Sequence, residues 1–372
     1  MKVQVLQDSL SKALSLASHV VSSKPNLPIL GNIYLEAEKD KLIISGTDLD
    51  VGIKLSIKAE VSESGSIAVP SRLFVDFISS ITSGKISLET EGLVLKVQSG
   101  IYSSSFNCLD GDEFPAFPEK GKEIEVDFES KTFKEALGKI LFSASTDLSR
   151  QVLTGVLFEF QKKQVTLVTT DGFRLSSYLL VGDYDKIDNF IIPARGLQEL
   201  IKSGGIEEAE KKDVKITLSE NKNQVIIENG VVEIALRLLE GKFPDYKKII
   251  PEKFVSVLNV DRQEILKAVK VASIFARDNA NIVHFNLKSK DQTLSVAATA
   301  REMGEGSSII KCSVSGEDLV ISFNARFLLE VMNVFTASEL KLEFSGPLKP
   351  IRIIESGNEN FFHVLMPVRT GN

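Results

Sequence analysis

The chain has 372 residues, of which 43% are hydrophobic and 25% charged. These are ordinary proportions for a globular protein, and the length suits two to four domains at roughly 100–200 residues each. No apolar run approaches the ~18 residues of a membrane-spanning helix, and Met1 to Leu10 lacks the apolar stretch of a signal peptide, so a cytoplasmic location without membrane contact is expected. The net charge of −6 argues mildly against nucleic acid, and Cys108 and Cys312 read as reduced thiols.

In chain order, the spacing of apolar residues predicts a helix from Leu10 to Val21. Strand-like segments follow at Gly31 to Glu38, Leu42 to Thr47 and Val51 to Ile57, broken by Lys39-Asp40 and Asp48-Leu49-Asp50. A second helix starts at Pro70, and further strands fall between Ile86 and Val97. The pattern then recurs. Phe133 to Ser145 is predicted helical, with Ala136, Leu137, Ile140 and Leu141 on one face. Val156 to Phe160 and Val165 to Thr170 read as strands, Asp171-Gly172 as a turn, and the next helix starts at Pro193 before strands between Val214 and Glu228. A third round brings a helix from Gln263 to Ala276, strands at Ile282 to Lys288 and Gln292 to Thr299, a helix from Asn324, and strands between Leu340 and Glu355.

Two independent anchors place the rounds in register. Thr47, Thr170 and Thr299 close equivalent strands and are spaced by 123 and 129 residues. The second helices start at Pro70, Pro193 and Asn324, spaced by 123 and 131. Repeats of this length are whole domains, since solenoid periods run about 20 to 50 residues. Domains are therefore predicted at 1–125, 126–253 and 254–372. Each boundary lies past a Phe/Pro-rich connector, Asp112 to Glu123 and Lys242 to Lys253. The predicted fold is α+β: three tandem copies, each with two helices and about eight antiparallel strands.

Charge is unevenly spread. The six helical segments (9–24, 70–81, 131–145, 193–203, 262–277 and 324–335) carry thirteen basic and five acidic residues, in a chain with 44 basic and 50 acidic. Lys and Arg are good helix formers on solvated faces, which is one reading. The other is that the helices share a surface that meets phosphates.

No catalytic constellation is present in the sequence. Ser83-Gly84-Lys85 and Gly241-Lys242 lack the glycine and hydroxyl of a phosphate loop, and His19, His284 and His363 stand far apart. His284 alternates with Val283 and Phe285 on the polar face of a strand. Asp48 and Asp50 are the one carboxylate pair that a hard cation could bridge, which keeps a metal-dependent nuclease as the alternative. The equivalent turns, Asp171-Gly172-Phe173 and Ala300-Arg301-Glu302, carry no such pair and favour a solvated turn. A generic protein–protein platform is the third reading. The apolar ending Phe361 to Arg369, FFHVLMPVR, has to be buried as a strand or to form part of a recognition surface.

Five ordered motifs narrow the choice: Leu27-Pro28-Ile29-Leu30-Gly31-Asn32, Thr47-Asp48-Leu49-Asp50, Thr170-Asp171-Gly172-Phe173-Arg174-Leu175, Phe243-Pro244-Asp245-Tyr246 and Met366-Pro367-Val368-Arg369. On these, over its whole length, the chain resembles the bacterial DNA polymerase III beta-subunit family, the DNA sliding clamps. The resemblance implies a non-catalytic accessory subunit of a DNA-directed DNA polymerase, with no cofactor and no metal. It implies three DNA-clamp domains per chain and a head-to-tail homodimer closed into a ring around duplex DNA, bound without regard to sequence. Lys24, Arg72, Arg150, Arg195 and Lys202 would then face the DNA.

The resemblance also implies a pocket for short peptides of the replicative polymerase, the clamp loader and repair proteins, between the second and third domains. Carried over by motif, its residues are Leu153, Thr170, Gly172, Phe173, Arg174, Leu175, Pro244, Lys248, Ile249, Asn324, Phe327, Leu348, Pro350, Val364, Met366, Pro367, Val368 and Arg369. Phe106, opposite Ile274 and Phe275, is the expected apolar contact of the dimer. Three features depart from the family pattern: Phe173 where relatives often have His, Gln151-Val152 where some have an aromatic pair, and the extension Thr370-Gly371-Asn372.

Overall fold

Strands that alternate buried and exposed residues, and helices with one apolar stripe, can hide their apolar faces only by packing helices onto sheets. The computed structural model describes residues 1–22, 26–82, 84–184, 187–203, 213–277, 279–300 and 304–369. Among the described residues each repeat shows two α-helices: α1 (Gln7–Ser18) and α2 (Ser71–Ser80), α3 (Ser130–Ile140) and α4 (Ala194–Lys202), α5 (Arg262–Ala276) and α6 (Ala325–Val334).

Four helix ends differ by three residues or more from the spacing-based expectation, α1 running Gln7–Ser18 instead of Leu10–Val21 and α3 Ser130–Ile140 instead of Phe133–Ser145, and two of them have a local reason. The first helix starts at Gln7 rather than Leu10, because the buried Gln7 amide donates to the Ile78 carbonyl at 2.9 Å on α2. A strand, Lys2–Leu6, precedes it. The helix predicted to reach Ser145 stops at Ile140, whose carbonyl accepts from the hydroxyls of Ser143 (3.1 Å) and Thr169 (2.7 Å).

The chain packs as two compact units, Met1–Lys134 with Ile192–Leu238, and Glu135–Ile191 with Leu239 onward. In the first unit, a five-stranded sheet runs Glu60–Glu63, Lys2–Leu6, Lys85–Glu91, Val94–Ser99, Tyr102–Asn107. Its eight-stranded sheet runs Lys120–Phe128, Val214–Ser219, Gln224–Asn229, Val232–Arg237, Val51–Lys58, Lys41–Thr47, Asn32–Glu38, Gly65–Pro70. Antiparallel pairing of Val232 with Leu55, Ile234 with Ile53 and Leu236 with Val51 makes two repeats one continuous sheet. Helix α4 lies so close to this sheet that a Cβ built on Gly196 would fall 2.1 Å from Cδ2 of Leu236.

The second unit repeats the plan. Its nine-stranded sheet runs Phe190–Pro193, Gly155–Gln161, Gln164–Thr170, Arg174–Val181, Asn358–Leu365, Ile351–Glu355, Glu339–Phe344, Ser256–Asp261, Ser313–Gly316. A four-stranded sheet runs Gly304–Lys311, Thr293–Ala300, Ile282–Lys288, Leu319–Asn324. The apolar C-terminal segment is thus an interior strand, with Phe361, His363, Val364 and Leu365 all buried.

Two polar groups are buried in this second core. Lys139 pairs with Glu355 and Glu135, each at 3.2 Å, so one cation counted toward a basic helical surface is internal. Burial opposes the Lys139 charge, but Glu355 and Glu135 together outweigh it and its pKa is raised. His363 is fully buried, with Nδ1 2.9 Å from the Ser176 hydroxyl and its ring stacked on Phe142. Burial first, and the charge of Arg174 second, push its pKa down to about 3.

Opposite effects are expected at two helical glycines. Gly138→Ala, in open space on α3, should stabilise the fold by about 0.5–1 kcal/mol. Gly196→Ala should destabilise it by about 1–3 kcal/mol through overpacking against Leu236. Urea unfolding of both variants checks the sign. His363 gives a pH test. Below an ordinary imidazole pKa of about 6.5 the unfolded chain takes up a proton that the native site refuses down to about 3. Stability is therefore lost as pH falls through that window, by up to about 1.4 kcal/mol per pH unit. The unfolding midpoint of His363→Gln should fall less steeply between pH 6.5 and 5 than that of the parent.

Candidate functional site

The second unit's site begins with a four-bond turn between the strands Gln164–Thr170 and Arg174–Val181. The Thr170 hydroxyl donates to the Arg174 carbonyl (2.6 Å) and accepts from the Gly172 amide (3.1 Å). Asp171 Oδ1 accepts from the amides of Phe173 (2.9 Å) and Arg174 (3.1 Å). Gly172 sits at φ +92°, a conformation that side chains disfavour. The turn therefore throws Phe173 outward, 62% exposed, and sends Arg174 inward.

Arg174 is pinned on every side. Its Nε donates to Asp171 Oδ2 (3.0 Å), Nη1 to Glu330 Oε2 (2.5 Å) and Nη2 to the Phe142 carbonyl (2.9 Å). The guanidinium also lies over the rings of Phe327 (4.4 Å) and Phe142 (5.1 Å). With two carboxylates on it and 6% of its side chain exposed, Arg174 is a post that braces the site rather than a free cation.

Beside this post, Leu153, Leu175 and Val364 join Leu157, Val168, Ile191, Phe243 and Tyr246 in one buried cluster. Tyr246 clamps the connector: its hydroxyl donates to Glu159 Oε2 (2.6 Å) while Lys247 holds Oε1 (2.7 Å). Burial, then the Glu159 carboxylate, raise the Tyr246 pKa and keep the phenol protonated. The C-terminal segment closes the edge, with the Met366 amide donating to the Phe173 carbonyl (2.9 Å) and Val368 to Ser322 (2.8 Å). Around this floor Phe173, Leu348 (58%), Met366 (37%) and Ile249 (37%) remain exposed.

The motif-derived residues divide by role. Leu153, Thr170, Leu175 and Val364 are buried floor, while Pro244, Lys248 and Arg369 are exposed. Pro350, Pro367 and Val368 are half-buried. Asn324 caps α6, its side chain accepting from the Arg326 amide (2.9 Å), and Phe327 on that helix stacks with Phe173 at 6.5 Å. Lys248 is paired with Asp245 at 2.9 Å. Sequence reasoning missed Phe243, Tyr246, Phe142 and Glu330 as parts of the site. The first two were visible as connector aromatics. Nothing in the sequence joined Phe142 or Glu330 to Arg174.

Of the cations expected to face DNA, Lys24 lies outside the described residues, as do Arg301, Glu302 and Thr370-Gly371-Asn372. In the first unit, Arg72 on α2 is exposed, Arg195 on α4 is 61% exposed and bonded to Asp48 (2.9 Å), and Lys202 binds the buried Glu199 (2.7 Å). His19 takes the other Glu199 oxygen at 3.0 Å. In the second, Arg150 is exposed beside Gly172, and Lys267, Lys270 and Arg277 are exposed on or just after α5. Arg262 instead bonds the carbonyl of Ala337 (3.0 Å). The helical excess of positive charge survives on the surface after Lys139 and Arg262 are removed from it.

The Asp48/Asp50 pair does not form a cation site. Asp48 Oδ1 accepts from the amides of Asp50 (3.2 Å) and Val51 (2.8 Å), and Oδ2 holds Arg195, so the carboxylate is committed to its turn. Among the described residues no cluster of three or more His, Cys, Asp or Glu side chains is placed to hold a metal ion. None of the described helices is long and apolar enough to cross a membrane. Of the expected dimer residues, Phe106 in the first unit is 8% exposed and edge-on to Phe74 and Phe77. In the second, Ile274 is 59% exposed and Phe275 half-buried against Gly306.

Known proteins share this design. Family models for the N-terminal, central and C-terminal domains of the DNA polymerase III beta subunit match residues 1–118, 127–245 and 247–369. The beta sliding clamp of Synechocystis is 31% identical and that of Staphylococcus aureus 29%, each over the full length of both chains. The crystal structures of the Bacillus subtilis DNA polymerase sliding clamp (TM-score 0.93, 26% identity) and the Thermotoga maritima DNA polymerase III beta subunit (0.92, 25%) also match over the full length of both chains. A three-domain α+β chain matched end to end by these models and relatives belongs to the DNA polymerase III beta-subunit family, the non-catalytic bacterial DNA sliding clamps.

Proposed function

We propose that two copies of this chain join head to tail into a ring that encircles duplex DNA and tethers a replicative polymerase subunit, a clamp loader and repair proteins by short peptides. The three clamp domains are taken as 1–125, 126–253 and 254–372. A threaded ring needs no tight phosphate grip. The exposed cations Arg72, Arg195 and Lys202 on the helices and Arg150 before the strand Gly155–Gln161, together with the sequence candidate Lys24, are assigned weak, sequence-blind attraction, while the acidic remainder disfavours DNA elsewhere. Phe106, Ile274 and Phe275 are assigned to the dimer contact, in which Ile274 offers the most exposed apolar surface of the three.

The observation that carries the peptide assignment is the turn of Thr170 to Leu175. It sets the buried apolar residues Leu153, Leu175 and Val364 beside the exposed Phe173, Leu348 and Met366. A peptide that buries two or three leucine or phenylalanine side chains gains about 1.5–3 kcal/mol from each. After ordering costs this leaves affinities on the order of micromolar, which permits exchange of partners.

Encirclement is tested with nicked circular DNA, a clamp loader and ATP. The protein should be retained on the circle and released on linearisation; equal retention on linear DNA rejects the ring. For the pocket, Leu175→Ala and Met366→Ala should each weaken a labelled peptide with Leu and Phe anchors about tenfold or more, with dimer mass unchanged. Undiminished binding by both variants removes the assignment.

A further inference from the structure

The first unit contains the same turn at the same spacing. The Thr47 hydroxyl donates to the Val51 carbonyl (3.0 Å) and accepts from the Leu49 amide (3.0 Å), and Asp48 Oδ1 accepts from the amides of Asp50 and Val51. Those are the four bonds made by Thr170 and Asp171, displaced by 123 residues. The connector is docked alike in the two units. Phe114 packs on Ile29, Leu30 and Ala68, where Phe243 packs in the second.

One residue changes the outcome. Displacement by 123 positions sets Gly52 where Leu175 stands, so the side chain that fills the second unit's floor is missing from the first. A cavity of about 390 Å³ lies there, with Gly46, Gly52 and Ala235 in its lining and Tyr34, Phe114 and Phe117 as aromatic walls. That volume lies within the range of small-ligand pockets, roughly 300–1,000 Å³. The lining carries the carboxylates of Glu36 and Asp112, and Asp110 and Glu113 flank Asp112 in the sequence. Among the lining residues Lys54 is the one cation, and it sits over the Phe117 ring at 5.5 Å and 3.9 Å from Glu233.

We propose that this cavity is a second peptide site, for a short basic segment that inserts one phenylalanine or leucine and sets its lysines or arginines against Glu36 and Asp112. The aromatic walls supply stacking partners for the anchor, and the acidic lining selects the flanks. The second unit's pocket has the exposed Arg369 and the Lys248–Asp245 ion pair around it, where the first has Glu36 and Asp112, so the two admit different peptides. The inference rests on the peptide reading of that pocket for its analogy, but its recognition chemistry is its own.

The test uses the full chain and two fluorescein-labelled hexapeptides, Arg-Lys-Leu-Phe-Lys-Arg and Asp-Gln-Leu-Phe-Glu-Asp, read by anisotropy at low salt. The basic peptide should bind, and replacing its Leu and Phe by Gly should abolish the signal. The double variant Glu36→Gln/Asp112→Asn, and separately Gly52→Leu, should each weaken the basic peptide about tenfold or more, the melting temperature serving as a folding control. Neither should alter the acidic peptide, and Leu175→Ala should do the reverse. Basic-peptide binding that ignores both first-unit variants, or that Leu175→Ala abolishes, overturns the second site. Loss of the acidic peptide alone would instead count against the second unit's pocket and leave this one standing.

Discussion

A guanidinium withdrawn from water has to meet partners for its charge and its N–H groups at the same time, and the second unit is arranged around that requirement at Arg174. The turn supplies Asp171, helix α6 supplies Glu330, and the segment after α3 supplies the Phe142 carbonyl. Three elements distant in sequence are thereby fixed at one point. Removing one carboxylate would leave a buried charge under-compensated, a cost of several kcal/mol. The apolar floor next to it keeps its shape because its neighbours on the strand cannot slide: a one-residue slip would turn Leu175 out and Arg174 onto the opposite face.

The same brace explains the electrostatics of the surrounding core. The positive charge of Arg174 disfavours protonation of His363, already disfavoured by burial, so the imidazole stays neutral in the sheet. A second buried cation, Lys139, is met by Glu355, which also accepts from the amide of Ala337 at 3.0 Å. Both ion groups tie helices to a sheet at places where apolar packing alone would permit sliding. In the first unit His19, Glu199 and Lys202 join α1 to α4 in a comparable way, closer to the surface.

Much of this was legible in the sequence. Threonines at 47, 170 and 299 and the proline or asparagine before each second helix gave the threefold repeat, because hydrophobic spacing and turn residues recur wherever the fold does. Thr170-Asp171-Gly172 pointed to the site only through the family motif it matches, since Thr47-Asp48-Leu49 caps its turn with the same hydroxyl and carboxylate bonds. What was not legible was long-range. Pairing of Val51–Lys58 with Val232–Arg237 makes the packing units cut across the middle repeat, and no local pattern announces a partner strand nearly two hundred positions away. Charge counting overstated the basic surface for the same reason, since Lys139 has its partner Glu355 in another repeat. The packing of Phe106 edge-on to Phe74 and Phe77 was not legible either, since those residues lie about thirty positions away on α2.

Internal repetition also bears on how a site diverges. The turn bonds at Thr47 and Thr170 are alike because they solve one backbone problem, the satisfaction of amides and carbonyls at a tight reversal. The side chains that ride on the turn are under no such constraint. At the position after the fourth bond, leucine is buried in one unit, while in the other glycine leaves room for the Phe117 ring, 3.4 Å from where its Cβ would be, and the inward-facing arginine of the second has a valine, Val51, as its counterpart. A valine asks for no carboxylates, so Asp48 is free to reach Arg195 on α4, and the first unit needs no counterpart of Glu330. One scaffold thus holds one turn braced by a buried arginine and another whose ion pair, Asp48 with Arg195, reaches a helix, and beside the second lies a cavity with Glu36 and Asp112 in its lining.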